Sequence, residues 1–289
     1  MQTERSKAAK GALFIFLSAV CFSIGGLFMK LVPWNGLAIN SARNIFSFLV
    51  LAGYLRLRRH KLVISRTVLI GAAAITGTNI LYCVANKLTT AGNTIILQFT
   101  MPIWVMIFSA LLLKKKPGKL DVIAAVFVFA GVICFFVDSL SSGHLAGDLL
   151  ALLSGVFYAG VFMMNAGRDS DSLSSVLIGM LLNVLTGLPF LIREQPFSAG
   201  MDIWGPVLIL GIFQLGLAYV FLTEGLAVTP PITASLISGI EPVLNPVLVA
   251  VFYGEMLTPL SLAGAAIVFL SVLGYNLLTI RRQSAESAG

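Results

Sequence analysis

The chain is 289 residues long, 58% hydrophobic and only 11% charged, with a mean hydropathy of +0.97. Soluble domains carry about 25% charged residues, so the composition excludes a soluble enzyme or binding module and describes a polytopic membrane protein whose solvent is the lipid bilayer. A net charge of +7 would suggest nucleic acid in a soluble chain, but these bases sit in short loops beside apolar segments and read as signals of membrane orientation; no nucleic acid is expected.

Ten apolar segments of about 18–24 residues follow one another, each long enough for a ~30 Å hydrocarbon core. They span 11–32, 36–55, 67–88, 90–113, 120–137, 147–166, 173–192, 203–223, 231–253 and 259–280. The basic stretch 1–10 reads as a cytoplasmic tail, and the run after it as a first transmembrane helix, since it lacks a small-residue cleavage site. Residues 281–289 read as a second cytoplasmic tail. Cys21, Cys83 and Cys134 fall inside apolar segments without motif spacing and read as small buried hydrophobes.

Lysine and arginine set the expected orientation. With the N-terminus inside, the cytoplasmic side collects Arg5, Lys7, Lys10, Arg56, Arg58, Arg59, Lys61, Arg66, Lys114, Lys115, Lys116, Lys119, Arg168, Arg281 and Arg282. Only Lys30, Lys87 and Arg193 fall near the outer side, and Arg43 lies within the second segment. Both termini are therefore expected in the cytoplasm of a cell whose inner membrane holds the protein.

The two halves repeat. Gly11, Leu17, Ser18 and Val20 lie over Gly147, Leu153, Ser154 and Val156. A spacing of 140 then places Thr89 over Thr229, Pro102 over Pro242, Ala110 over Ala250, Leu120 over Leu260 and Val128-Phe129 over Val268-Phe269. This is a five-helix duplication, 11–138 and 147–280. Because five is odd, the second copy enters the membrane upside down. The loops agree: Lys114-Lys115-Lys116 follows the fourth segment, whereas its counterpart Gly254-Glu255-Met256 carries no base. The fold class is an all-α integral membrane protein of ten transmembrane helices in two inverted five-helix repeats.

An inverted repeat places its substrate site near the midplane, among broken helices. Pro102 marks the fourth segment as broken, and Pro242 and Pro246 mark the ninth. Glu241 beside them either binds a substrate amine, carries a coupling proton, or satisfies backbone freed by Pro242. Asn245 shares its helical face. Arg43, roughly 10 Å inside the second helix, either snorkels outward, pairs with an acid, or meets an anionic substrate group. Asn79 and Tyr82 on the third segment, Asn93, Gln98 and Trp104 on the fourth, Tyr158 and Asn165 on the sixth, and Gln214 and Tyr219 on the eighth complete a candidate polar and aromatic lining. Singly, each also serves as interhelical glue or as an interfacial aromatic. Ser23-Ile-Gly25-Gly26 reads as close helix packing.

Arg43 before Phe46-Ser-Phe-Leu-Val-Leu, Pro102-Ile-Trp-Val, Glu241-Pro242-Val243 and Gly254-Glu255 resemble the EamA-type repeat of the drug/metabolite transporter superfamily. That resemblance implies a secondary transporter of small organic metabolites, often amino acids and their relatives, with export favoured. It implies alternating access around a central cavity lined by helices one, three, four, six, eight and nine. The first copy departs from the pattern, with Met101 where the second has Glu241, so an acid-dependent role belongs to one half.

The alternatives are an intramembrane enzyme, a channel or a scaffold. The only histidines, His60 and His144, lie in loops, and no HExxH or GxxxxGK[ST] occurs, so neither a metal, a cofactor nor direct ATP coupling is expected. The partners expected are lipid and a small organic solute, with a monomer or homodimer both open.

Overall fold

The computed structural model describes residues 2–114, 117–142, 144–254 and 258–286. Lys115, Lys116 and Glu255, to which the sequence reading attached weight, lie outside the described residues. Every regular element described is helical. In chain order these are α1a (Gln2–Ser23) and α1b (Gly25–Leu31), α2 (Gly36–Leu57), α3 (Arg66–Leu88), α4a (Ala91–Gln98) and α4b (Met101–Leu112), then α5 (Lys119–Ser142), α6 (Leu145–Phe162) and α7 (Ser172–Arg193). The eighth span is α8a (Met201–Ile209), a wider π-type stretch (Leu210–Leu217) and α8b (Ala218–Leu226). The ninth is α9a (Pro231–Ile237), one 3₁₀ turn (Ser238–Ile240) and α9b (Glu241–Tyr253); α10 is Pro259–Glu286.

Eight of these spans are long and apolar enough to cross a membrane among the described residues, and α5 and α10 complete the ten. Several ends differ from the sequence reading. The first helix starts at Gln2, not after a tail, and α10 runs through to Glu286. The polar stretch after 137 remains helical to Ser142, whereas α6 stops at Phe162 instead of reaching Ala166. Starts are set by side-chain caps that satisfy orphan amides. Asn35 accepts from Ala38 N, Ser65 from Val68 N, Thr90 from Asn93 N and Asp171 from Ser174 N.

The two copies pack about a pseudo-two-fold axis. α3 lies on α6 as α8 lies on α1, and α2 crosses its own repeat counterpart, α7. At that crossing Asn40 Nδ2 donates to Asn183 Oδ1 at 2.8 Å and Ser41 Oγ donates to the Val184 carbonyl at 2.9 Å. Gly187 meets Leu37 and Ser41 there too. Ser47 at one end of the crossing meets Met180 and Leu37 at the other meets Gly187, so the helices run antiparallel, as an inverted repeat demands. α5 meets α10 in the same sense, with Gly131 against Gly264 and Tyr275 Oη donating to Asp121 Oδ1 at 2.7 Å.

One contact is kept in both halves. Gly147 packs against Leu88 and Thr89, and Gly11 packs against Val228 and Thr229. These are the residues that the internal alignment places over each other. The two sites differ in compliance: a Cβ at 147 would meet the Leu88 carbonyl carbon and the Thr89 amide nitrogen at 2.9 Å, whereas one at 11 would meet only the side chains of Thr229 and Val228 below 3 Å. Overpacking costs about 1–3 kcal/mol when neighbours cannot yield. Gly147→Ala is therefore expected to lower the unfolding midpoint of detergent-solubilised protein by more than Gly11→Ala. Equal losses would contradict this reading of the two contacts.

Candidate functional site

Three spans are broken near their middles. Pro102 has no amide to offer the Gln98 carbonyl, and the helix gives way at Phe99–Thr100. Pro242 does the same to Ser238, which opens the 3₁₀ turn Ser238–Ile240. α1 breaks at Ile24, beside Gly25 and Gly26. Between these breaks and the π stretch of α8 lies a closed chamber lined by Phe22, Arg43, Thr78, Asn79, Tyr82, Gln98, Tyr158, Gln214, Leu215, Tyr219 and Glu241.

The Arg43 guanidinium and the Glu241 carboxyl group face this chamber without touching. The Arg43 guanidinium is fully buried and its partners are neutral. Nη2 donates to Asn79 Oδ1 at 2.7 Å and, more weakly, to Asn40 Oδ1 at 3.5 Å, while Nη1 donates to Gln214 Oε1 at 3.1 Å. Its Nε has no partner among the described residues, and no described carboxylate pairs with it. Glu241, 4% exposed, accepts a single long hydrogen bond of 3.3 Å from Tyr158 Oη. Tyr82 and Tyr219 lie within electrostatic reach of both charges. The Arg43 guanidinium sits 5.9 Å from the Tyr82 ring centroid, in cation–π range, and Asn79 Nδ2 donates to Tyr219 Oη at 3.3 Å. Phe22 packs edge-on against both Tyr158 and Tyr219.

The chamber brings together Arg43, Asn79, Tyr82, Gln98, Tyr158, Gln214, Tyr219 and Glu241 of the sequence candidates. Gln98 is held by its amide to Ser154 Oγ at 3.0 Å. Asn245 is buried one turn beyond Glu241 and lies against Gly26, where a Cβ would meet its amide at 2.3 Å. Pro102 and Pro242 are buried beside the breaks, whereas Pro246, expected to break the ninth span, is buried inside the continuous helix α9b. Asn93 is buried in α4a, outside the chamber lining, with its backbone amide on the Thr90 cap.

Two candidates are corrected. Trp104, past the break of α4, lines instead an apolar groove between α4b, α5 and α6. Asn165 lies beyond the end of α6, where the Met163 amide folds back on Ala159 and Gly160, so the seven-residue spacing from Tyr158 no longer holds it on one face. It lines instead a separate polar cavity of about 400 Å³ with Ser170, Asp171, Ser172, Thr223 and Glu224.

Sequence reasoning missed Phe22, an apolar residue in an apolar span, and Thr78, whose hydroxyl donates to the Ala74 carbonyl of its own helix. It also missed the π stretch that carries Gln214. There Gly211 presses on α2, where a Cβ would meet the Arg43 carbonyl at 2.7 Å, and π-type turns recur at functional sites. The adjacent Gly25 and Gly26 were a readable signal: the first lies against Gln214 and Tyr82, the second against Asn245.

Residues 9–137 and 145–277 each match the EamA-like transporter family. The chain belongs to this family. It is 25% identical over 287 residues to human solute carrier family 35 member G1, covering 91% of this chain and 78% of that protein. It is 27% identical over 219 residues to the threonine/homoserine exporter RhtA of Escherichia coli K12, covering 72% of this chain and 70% of the exporter. A crystal structure with 17% sequence identity superposes with a TM-score of 0.71, over 93% of this chain and 98% of that one, a likeness of fold. The EamA-like chain is thus a multi-pass membrane transporter and not an enzyme.

At the mouth of the polar cavity, the Asp171 carboxylate is opposed by burial but held below its usual range by the Ser174 amide and hydroxyl and by His60, 3.1 Å away. A depressed carboxylate contributes stability that is complete above its unfolded pKa, about 3.9, and is lost as pH falls through the lower folded value. Asp171→Ala should lose about 1 kcal/mol of stability at neutral pH, the worth of a helix N-cap. Asp171→Asn should keep most of the cap but flatten the acid limb, which thermal unfolding between pH 3 and 6 would report.

Proposed function

We propose that this EamA-like transporter exports a small zwitterionic solute, an amino acid or close relative, by alternating access. One observation carries the reading: a buried guanidinium and a buried carboxyl group face one chamber, and neither is paired with the other. Isolated buried charges are costly. An α-amino acid offsets both at once, its carboxylate on Arg43 and its ammonium at Glu241, with the tyrosines against its aliphatic part. Arg43 is then released from Asn79 and Gln214 toward a bidentate carboxylate partner, the geometry guanidinium favours. The threonine/homoserine exporter among its relatives supports the same solute class.

The chamber holds about 20 Å³, room for a water and little more. A solute of this class enters only when the lining parts, and the breaks at Phe99–Thr100, Ser238–Ile240 and Ile24 supply places where half-helices can swing. In our reading the repeats span 11–138 and 147–280 of the inner membrane, and the lysine- and arginine-rich side, with both termini, faces the cytoplasm.

Proteoliposome counterflow tests this. Wild-type protein loaded with unlabelled threonine should accumulate labelled threonine or homoserine, and Glu241→Gln and Arg43→Gln should each lower the rate at least tenfold with unchanged yield in the membrane. Undiminished counterflow in both variants would refute the two-charge site. Counterflow retained in Glu241→Gln together with lost pH-driven accumulation would instead assign Glu241 the coupling proton.

A further inference from the structure

A cavity much larger than the chamber lies apart from it. It is a groove of about 810 Å³ between α4, α5 and α6, within the ~300–1,000 Å³ range of small-molecule sites. Its walls are apolar: Ile103, Trp104 and Ile107 from α4b, Val122, Val126 and Phe129 from α5. Val126 and Phe129 remain 62% and 52% exposed, although they lie in the membrane. Thr100, at the break of α4, closes the deep end, and Pro117 in the α4–α5 connection closes the other.

Dimensions and charge identify the occupant. From Thr100 to Ala110 the groove follows ten residues of helix, about 15 Å, which is half of a ~30 Å hydrocarbon core and so the depth of one leaflet. At its membrane-surface end lie Lys114, just past α4b, and Lys119, the first residue of α5, both exposed. The nearby acid, Asp121, is engaged by the Gly118 amide and by Tyr275. An apolar slot one leaflet deep under a basic rim fits a phospholipid with an anionic headgroup.

We propose that this groove binds one anionic phospholipid, its acyl chain along α4b as far as the break and its phosphate at Lys114 and Lys119. The site is separate from the chamber and does not depend on which solute is carried.

Native mass spectrometry of protein extracted from vesicles of equal parts phosphatidylglycerol and phosphatidylcholine reads it directly. Wild-type protein should retain phosphatidylglycerol over phosphatidylcholine by about fivefold per rim lysine. Ala110→Trp with Ala125→Trp, which fills the groove, should lose both lipids. Lys114→Glu with Lys119→Glu should keep bound lipid but lose the preference. Leu153→Trp obstructs the groove from α6 and repeats the test if the first pair lowers the unfolding midpoint. Lipid retention unchanged by groove filling, or no headgroup preference in the wild type, would overturn the proposal.

Discussion

The burial of the Arg43 guanidinium constrains everything around the chamber. A charge with no solvent exposure and no described carboxylate partner must be satisfied by neutral oxygens arranged for it, and these come from α2, α3 and the π stretch of α8. Gln214 reaches Arg43 because Gly211 lets the π stretch close on the α2 backbone. Asn79 in turn binds Tyr219, which ties α3 to α8. One guanidinium thus sets the mutual positions of three spans. The wide turns of the π stretch, unfavourable in an ordinary helix, become part of the same solution.

The duplication supplies the frame, and its divergence supplies the chemistry. Repeat counterparts meet directly at Asn40 and Asn183, and the matched Gly11 and Gly147 contacts keep the same packing in both halves. The charges break the symmetry. At the offsets that place Gly11 over Gly147 and Thr89 over Thr229, Arg43 lies over Gly179 or Asn183, neither of them charged. Glu241 faces Met101 in the first half. Each half contributes one ionisable group, a guanidinium or a carboxyl, to a space between them. A symmetric scaffold therefore builds an asymmetric chamber, with a guanidinium from one half and a carboxyl group from the other.

Much of this was legible from particular residues. Pro102 and Pro242 announced breaks because a missing amide cannot be compensated by lipid, and the breaks lie within three residues of them. Arg43 and Glu241 stood out because charges are costly in a bilayer. Amides and tyrosines were less legible, since glue and lining use the same residue types: eight sequence candidates line the chamber, while Asn93, Trp104, Asn165 and Asn245 do not. Trp104 was misplaced by treating one helix as one face, and Asn165 by extending α6 past the point where its backbone turns.

Hydropathy, the 140-residue internal repeat and the distribution of lysine and arginine determine by themselves that this chain is ten helices in two inverted fives, because lipid permits few ways to hide a backbone. What only the tertiary structure decided is which polar groups share a space. Arg43 and Glu241 lie 198 positions apart, and no periodicity relates them. Their approach depends on three helix breaks, a π stretch and glycine contacts whose effect is geometric, and geometry of that kind appears only when the helices pack.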